Sequence, residues 1–394
     1  MRLSQEMRTT LDTLRTARVA IIYPKAIGDF MFALPALHSL RRALPEAALL
    51  LVVKEKQEPL ARGLAGQVVD EVIALGGRTT ILDVRRKLSE WRASITIDLV
   101  GNDQSGLITM FRGGRRIRPD RHDCKGMGAL YTASAEAMPR LPGGGPHRVE
   151  QLLSWVGSLG VPRGPVSFRL FLPARAVELA QATITRYGLA GSRAVFLNVG
   201  ASRYCKRWPA RNFRALAEQL VKSGYRIVIT GAAEFRSDKN YDRSVSSEWF
   251  ADGFVDGEKC INLIAGEGLP ADLHLQRDAW LLRYSGAPLV VVGNDTGPMQ
   301  IAGSVGEDAS VPTITLFGPT DWRRYGPYDP SRTRENPNGE CAWILPAHGV
   351  TCLPAGDDES CRSYRGGCDT AECMASITPD VALDAVLRRI KANQ

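Results

Sequence analysis

The chain of 394 residues has no stretch approaching the roughly 18 consecutive apolar residues of a membrane-spanning helix. Its opening, MRLSQEMRTTLDTLRTARVA, has no apolar signal core, so the expectation is a cytoplasmic protein that is not exported. The phosphate-cradling pattern GxxxxGK[ST] is missing, which argues against a P-loop nucleotide hydrolase. No CxxC pair occurs, so the eight cysteines do not follow a standard zinc-ribbon spacing. The densest basic run, Arg112 to Lys125, is poor in aromatics and matches no nucleic-acid module, so no nucleic-acid partner is expected.

What is present is ordinary for a globular protein: 44% hydrophobic and 23% charged residues. The length suits two domains, each large enough to bury its own core. A net charge of +8 favours an anionic partner such as a nucleotide, a phosphorylated glycolipid or a membrane surface. The basic run at 112–125 reads either as a solvated loop or as a patch for an acceptor phosphate.

Arg18 to Tyr23 is a short apolar run that predicts a buried strand. A polar loop, a helical pattern ending near Pro45 and a second apolar run, Ala47 to Val53, complete a β-α-β unit. Glu71 to Ala74 and Ile95 to Val100 are further strands, and 147–159 is a helix. Pro- and Gly-bearing sequence at 160–175 predicts the end of a first domain. The order then restarts: strand Arg193 to Val199, polar loop, helix to Ser223 with Gly224 as its cap, and strand Arg226 to Thr230. Pro288 to Val292 and Thr313 to Phe317 are the last clear strands. The prediction is an α/β protein of two doubly wound, Rossmann-like domains facing a cleft. An N-terminal extension occupies 1–17, the first domain 18–175 and the second 176–335. A cysteine-rich segment spans 336–375, and a C-terminal helix 376–394 opens on Thr378-Pro379-Asp380.

Ligands of open α/β sheets bind at the carboxyl ends of strands. Three loops there carry unusual residues. In Lys25-Ala26-Ile27-Gly28-Asp29, Gly28 permits a tight turn and Asp29 reads either as a helix cap or as a base for an attacking hydroxyl. Gly200 to Trp208 (GASRYCKRW) offers a hydroxyl, Ser202, and cations including Lys206 just before a helix, which suits a diphosphate. Gly293 to Met299 (GNDTGPM) places Asp295, Thr296 and Gly297 after an apolar strand, where a hydroxyl and backbone N–H groups can meet a phosphate.

In this order, IIYPKAIGDFMFALPALHSLRRALP, FLNVGASRYCKRWPARNFRALAEQL and VVGNDTGPMQIAGSVG followed by TLFGPTD resemble glycosyltransferase family 9, over roughly 18–335. The resemblance implies a GT-B fold and inverting transfer of heptose from ADP-heptose to a lipopolysaccharide inner-core acceptor, with no obligatory metal. It implies Asp29 as catalytic base, Lys25 and Gly28 on the acceptor side, and Lys206 and Ser202 at the diphosphate. Glu234 would reach the nucleotide ribose, and Asp295, Thr296 and Gly297 form the donor loop. Gln300 stands where the family usually has His, and an amide cannot titrate near neutrality. The terminal helix would return to the first domain. Membrane contact would be peripheral, by charge at the cytoplasmic face of the inner membrane.

Five cysteines crowd the tail: Cys341, Cys352, Cys361, Cys368 and Cys373. They read either as reduced thiols or as a structural metal site, the latter also known among relatives that modify proteins with heptose. Gln300 and this segment motivate an alternative acceptor, a protein or a capsular glycan. The basic composition motivates a third reading, a non-catalytic nucleotide- or anion-binding module.

Overall fold

The structure, a computed structural model, describes residues 11–110, 115–119, 133–135, 146–231, 255, 257–264, 269–332, 338–347, 368 and 370–393. The chain divides into two compact units. One comprises Met1–Arg140 with Arg148–Phe171, the other Leu141–His147 with Leu172–Gln394.

The first unit is built on β1 (Arg18–Ile22), α1 (Ile27–Ala43), β2 (Ala48–Lys54), β3 (Glu71–Leu75), α2 (Ile81–Glu90), β4 (Ile95–Asp98), α3 (Asp103–Thr109), β5 (Arg115–Pro119), β6 (Ala133–Ala135) and α4 (Arg148–Ser158). Its six strands are parallel in the order β3-β2-β1-β4-β5-β6. Val19 to Ile22 and Leu49 to Val53 are fully buried, as the continuous apolar runs of a parallel sheet covered on both faces require. Sequence order reverses across β1 and β4, so their carboxyl ends form the topological switch point where such sheets bind ligands.

The second unit repeats the plan with α5 (Ala174–Tyr187), β7 (Ala194–Asn198), α6 (Ala210–Lys222), β8 (Arg226–Thr230), β9 (Cys260–Asn262), α7 (Ala271–Arg283), β10 (Pro288–Asn294), α8 (Gly297–Gly303), β11 (Thr313–Phe317), β12 (Ala342–Pro346) and α9 (Pro379–Ala392). The order β12-β11-β10-β7-β8-β9 is again all parallel, with its switch point at β7 and β10. The predicted stop of α6 holds: Gly224 follows the helix at φ 81°, a left-handed conformation that glycine adopts without strain. α9 opens as predicted on Thr378, whose hydroxyl accepts from the Val381 N–H at 3.4 Å.

The terminal helix α9 belongs to the second unit. Its apolar face, Ala382, Val386 and Ile390, joins Trp208, Leu216 and Leu220 in the core beneath β7 and β10 of the second unit. Within the cysteine-rich segment, Ala342–Pro346 adds a sixth strand against β11. Among the described residues no helix is long and apolar enough to cross a membrane.

Candidate active site

In the first unit, β1 ends at Ile22 and the chain reaches α1 through Pro24 to Ala26. The N-cap is Ala26, in extended conformation with no side chain able to cap, so Asp29 lies within the first turn of the helix and does not act as the cap. Its half-buried carboxylate has no hydrogen bond or ion pair among the described residues. The tight turn expected at Gly28 is not there. Gly28 is the second residue of α1 and is absent from the residues of positive φ; the chain turns before it, where the Lys25 N–H donates to the Tyr23 carbonyl at 3.0 Å. Lys25 is half-buried in that segment.

In the second unit the two predicted loops meet. Lys206 Nζ lies 2.5 Å from Asp295 Oδ2, bringing together residues 89 positions apart in sequence. Both side chains are largely buried, 15% and 8% exposed, so water screens the pair weakly. Thr320, in the loop after β11, donates its hydroxyl to the same oxygen at 2.6 Å. One Asp295 oxygen thus holds a cation and a hydroxyl, each from a different loop.

Two buried asparagines build the frame around that centre. Asn294, fully buried at the end of β10, accepts the Trp208 backbone N–H at 2.9 Å. Its amide donates to the carbonyls of Val199 and Gly200, each at 3.2 Å. One side chain therefore fastens both ends of the Gly200–Trp208 loop to β10. Asn198, at the end of β7, accepts from the Thr296 hydroxyl at 3.4 Å and donates to Thr230 Oγ1 at 3.2 Å. The approach is close: a Cβ on Gly293 would lie 2.7 Å from Met299 Sδ and 2.9 Å from the Asn198 carbonyl oxygen. Trp208 donates its indole N–H to the Ile377 carbonyl at 2.7 Å, tying the loop to the residue before the cap of α9.

Thr296 is the N-cap position of α8 and Gly297 its first residue, with no side-chain cap on the helix. Gln300 is 2% exposed and donates its amide to the Tyr325 carbonyl at 2.8 Å, so one of its two N–H donors is used inside the protein. Ser202 is exposed on its loop. Glu234, Cys352 and Cys361 lie outside the described residues. Cys341 donates to the Val311 carbonyl at 3.2 Å, and Cys373 is buried against the Gly318 turn. Cys368 lies near Cys205, whose thiol is pushed up from its ordinary value by burial and by that neighbour. Among the described residues no group of three or more His, Cys, Asp or Glu side chains could hold a metal ion.

Sequence reasoning named Lys206 and Asp295 separately and gave no role to Asn198, Asn294 or Thr320. The signal available for Asn294 was its position at the end of an apolar strand, where a buried amide must find partners.

Comparison with known proteins agrees with this geometry. The family model of glycosyltransferase family 9 (heptosyltransferase) matches residues 81–342. Lipopolysaccharide heptosyltransferase 2 of Escherichia coli K12 is 23% identical over 321 residues, 77% of this chain and 83% of that protein. A family 9 glycosyltransferase structure from Veillonella parvula superposes with a TM-score of 0.71 at 18% identity, covering 96% of this chain and 98% of its own. The structure of the E. coli ADP-heptose lipopolysaccharide heptosyltransferase II gives 0.65 at 19% identity, covering 95% and 99%. Two Rossmann-like units of this order are the GT-B fold, and the chain belongs to glycosyltransferase family 9, the heptosyltransferases.

Proposed function

We propose that the chain transfers heptose from ADP-heptose to a phosphorylated glycolipid acceptor, the lipopolysaccharide inner core, with inversion at the anomeric carbon. The observation that carries this reading is the buried Lys206–Asp295–Thr320 centre at the switch point of the second unit. A diphosphate leaving group gains negative charge in the transition state, and a preplaced ammonium in a poorly hydrated site stabilises it. Asp295 keeps that ammonium oriented until the donor arrives. Lys206, with the backbone N–H groups at Thr296 and Gly297, then takes the charge that a metal carries in other transferases. Ser202 lies on the same loop, and Glu234 would contact the ribose.

Asp29 is the base in this reading. An acceptor hydroxyl becomes a competent nucleophile when a carboxylate takes its proton as the new bond forms. A carboxylate with no competing partner has its lone pairs available for that proton. Lys25, four residues earlier in the chain, would meet an anionic group of the acceptor. The relatives named above, which act in lipopolysaccharide assembly, support the donor and the acceptor class. The enzyme would work in the cytoplasm, in peripheral contact with the inner membrane through its positive charge.

The test is calorimetric titration with ADP and UDP of the wild type and of Lys206→Ala. ADP should bind in preference to UDP, and the variant should lose roughly 10-fold or more in ADP affinity, as expected for removing one charge-assisted contact. Preference for UDP would overturn the donor assignment. Transfer to a protein or capsular glycan, but not to a lipopolysaccharide core, would overturn the acceptor.

A further inference from the structure

Gln57 is fully buried in the first unit, in the short helical turn Glu55–Gln57 that follows β2. Both ends of its amide are used. The carbonyl oxygen accepts the Lys54 backbone N–H at 2.8 Å, and Nε2 donates to the Ala26 carbonyl at 3.0 Å. Ala26 is the N-cap of α1, and its carbonyl also receives the Phe30 N–H at 2.9 Å. Both lone pairs of that oxygen are therefore occupied, one by the first turn of the helix and one by Gln57.

This matters because the N-cap residue of α1 has no side-chain cap of its own. Helix entries are ordinarily held by a Ser, Thr, Asp or Asn at the N-cap, and alanine supplies no such group. The backbone contacts of the segment before it include Tyr23 N–H to the Val52 carbonyl at 2.8 Å and Lys25 N–H to the Tyr23 carbonyl at 3.0 Å. Gln57 ties the cap residue to the end of β2, and Asp29 stands on the turn that this cap begins.

We propose that Gln57 is a positioning residue for Asp29, anchoring the N-cap carbonyl of α1 so that the first turn presents the carboxylate in one fixed direction. The inference rests on the reading of Asp29 as the base. A catalytic group displaced by about 1 Å can lose on the order of 10²-fold in rate, so losing one anchoring bond should register in turnover. Gln57→Met keeps the length and removes both polar ends. Gln57→Glu keeps the acceptor for Lys54 and, when ionised, sets a charged oxygen in place of the donor to Ala26.

The experiment is a double-mutant cycle of Gln57→Met and Gln57→Glu with Asp29→Ala, measuring kcat, donor KM and thermal midpoint. In the wild-type background both Gln57 variants should lower kcat roughly 10-fold or more, with donor KM within about twofold. In the Asp29→Ala background the same changes should leave the residual rate unaltered, because there is no base left to position. Rates that fall equally in both backgrounds would overturn the proposal and mark Gln57 as merely structural. So would a full kcat in Gln57→Met. If Asp29→Ala alone retains full turnover, it is the base assignment that fails, and with it this proposal; that outcome is read from the single variant without reference to Gln57.

Discussion

The strand ends of the two units are built in opposite ways. In the first, the Asp29 carboxylate has no partner among the described residues, and the cap carbonyl of the helix that carries it is bonded to Gln57 and to the Phe30 N–H. In the second, Lys206, Asp295, Thr320, Asn294, Asn198 and Thr296 hold one another through their side chains. Proton transfer and charge stabilisation make different demands. A base needs an unoccupied lone pair on a steady platform. A leaving-group site works best when its dipoles and charges are fixed before the reaction, so that none must reorganise during it. Duplication of one doubly wound plan thus leaves room for divergent switch points, one open and one densely bonded.

That contrast can be broken by filling space. Gly293→Ala would put a Cβ 2.9 Å from the Asn198 carbonyl oxygen, which is backbone and cannot swing aside. We expect a loss of about 1–3 kcal/mol in unfolding free energy, read from the denaturant midpoint, and weakened ADP binding with it. An unchanged midpoint would mean that the frame around Asn294 is looser than described.

Acid tests the bonding within the second unit. Burial alone would push the Asp329 carboxyl up, but bonds from the Ala342 N–H, the Ser331 hydroxyl, the Cys341 N–H and the Ser331 N–H together hold it below the ordinary range. A native value below the unfolded one stabilises the fold fully above the ordinary carboxyl value of 3.8, and that contribution is lost as pH falls through the lower native value. The second unit should therefore lose stability as pH drops below about 4, and Asp329→Asn should flatten that slope. Thermal melts of the two proteins between neutral pH and the acid limb check it, and parallel slopes would contradict it.

The smallest effect belongs to the first unit. A Cβ on Gly157, in α4, would meet nothing within 4 Å. Gly157→Ala should raise stability by about 0.5–1 kcal/mol through backbone entropy alone, without altering donor affinity. Destabilisation would show that this face of α4 is covered.

Much of the fold was legible because parallel strands buried on both faces read as unbroken apolar runs: Val19 to Ile22, Val195 to Leu197, Leu289 to Val292. β6 and β9 have three residues each, too short for any periodicity to show, and they are defined only by pairing with β5 and β8. β12 escaped because it lies amid Gly, Pro and Cys, and its evidence is its register against β11. α5 was hidden in and beyond a segment read as linker, although Gly188 at φ 55° ends it as a C-cap.

The site followed the same division. Motifs could nominate Asp29, Lys206 and Asp295 as chemically suitable residues. They could not give the 2.5 Å pair between Lys206 and Asp295, because a contact across 89 positions is a property of the assembled sheet. Gln57, Asn294 and Thr320 are ordinary in sequence, and only their burial and partners set them apart.

The most direct test of the central claim is acceptor-dependent release of ADP from ADP-heptose, with a heptose-deficient lipopolysaccharide core as acceptor, for the wild type and for Asp29→Asn. The account predicts release that requires the acceptor and falls by on the order of 10²–10⁴-fold in the variant while its ADP affinity is unchanged. Release that ignores the acceptor, or a variant that turns over at the wild-type rate, would contradict it.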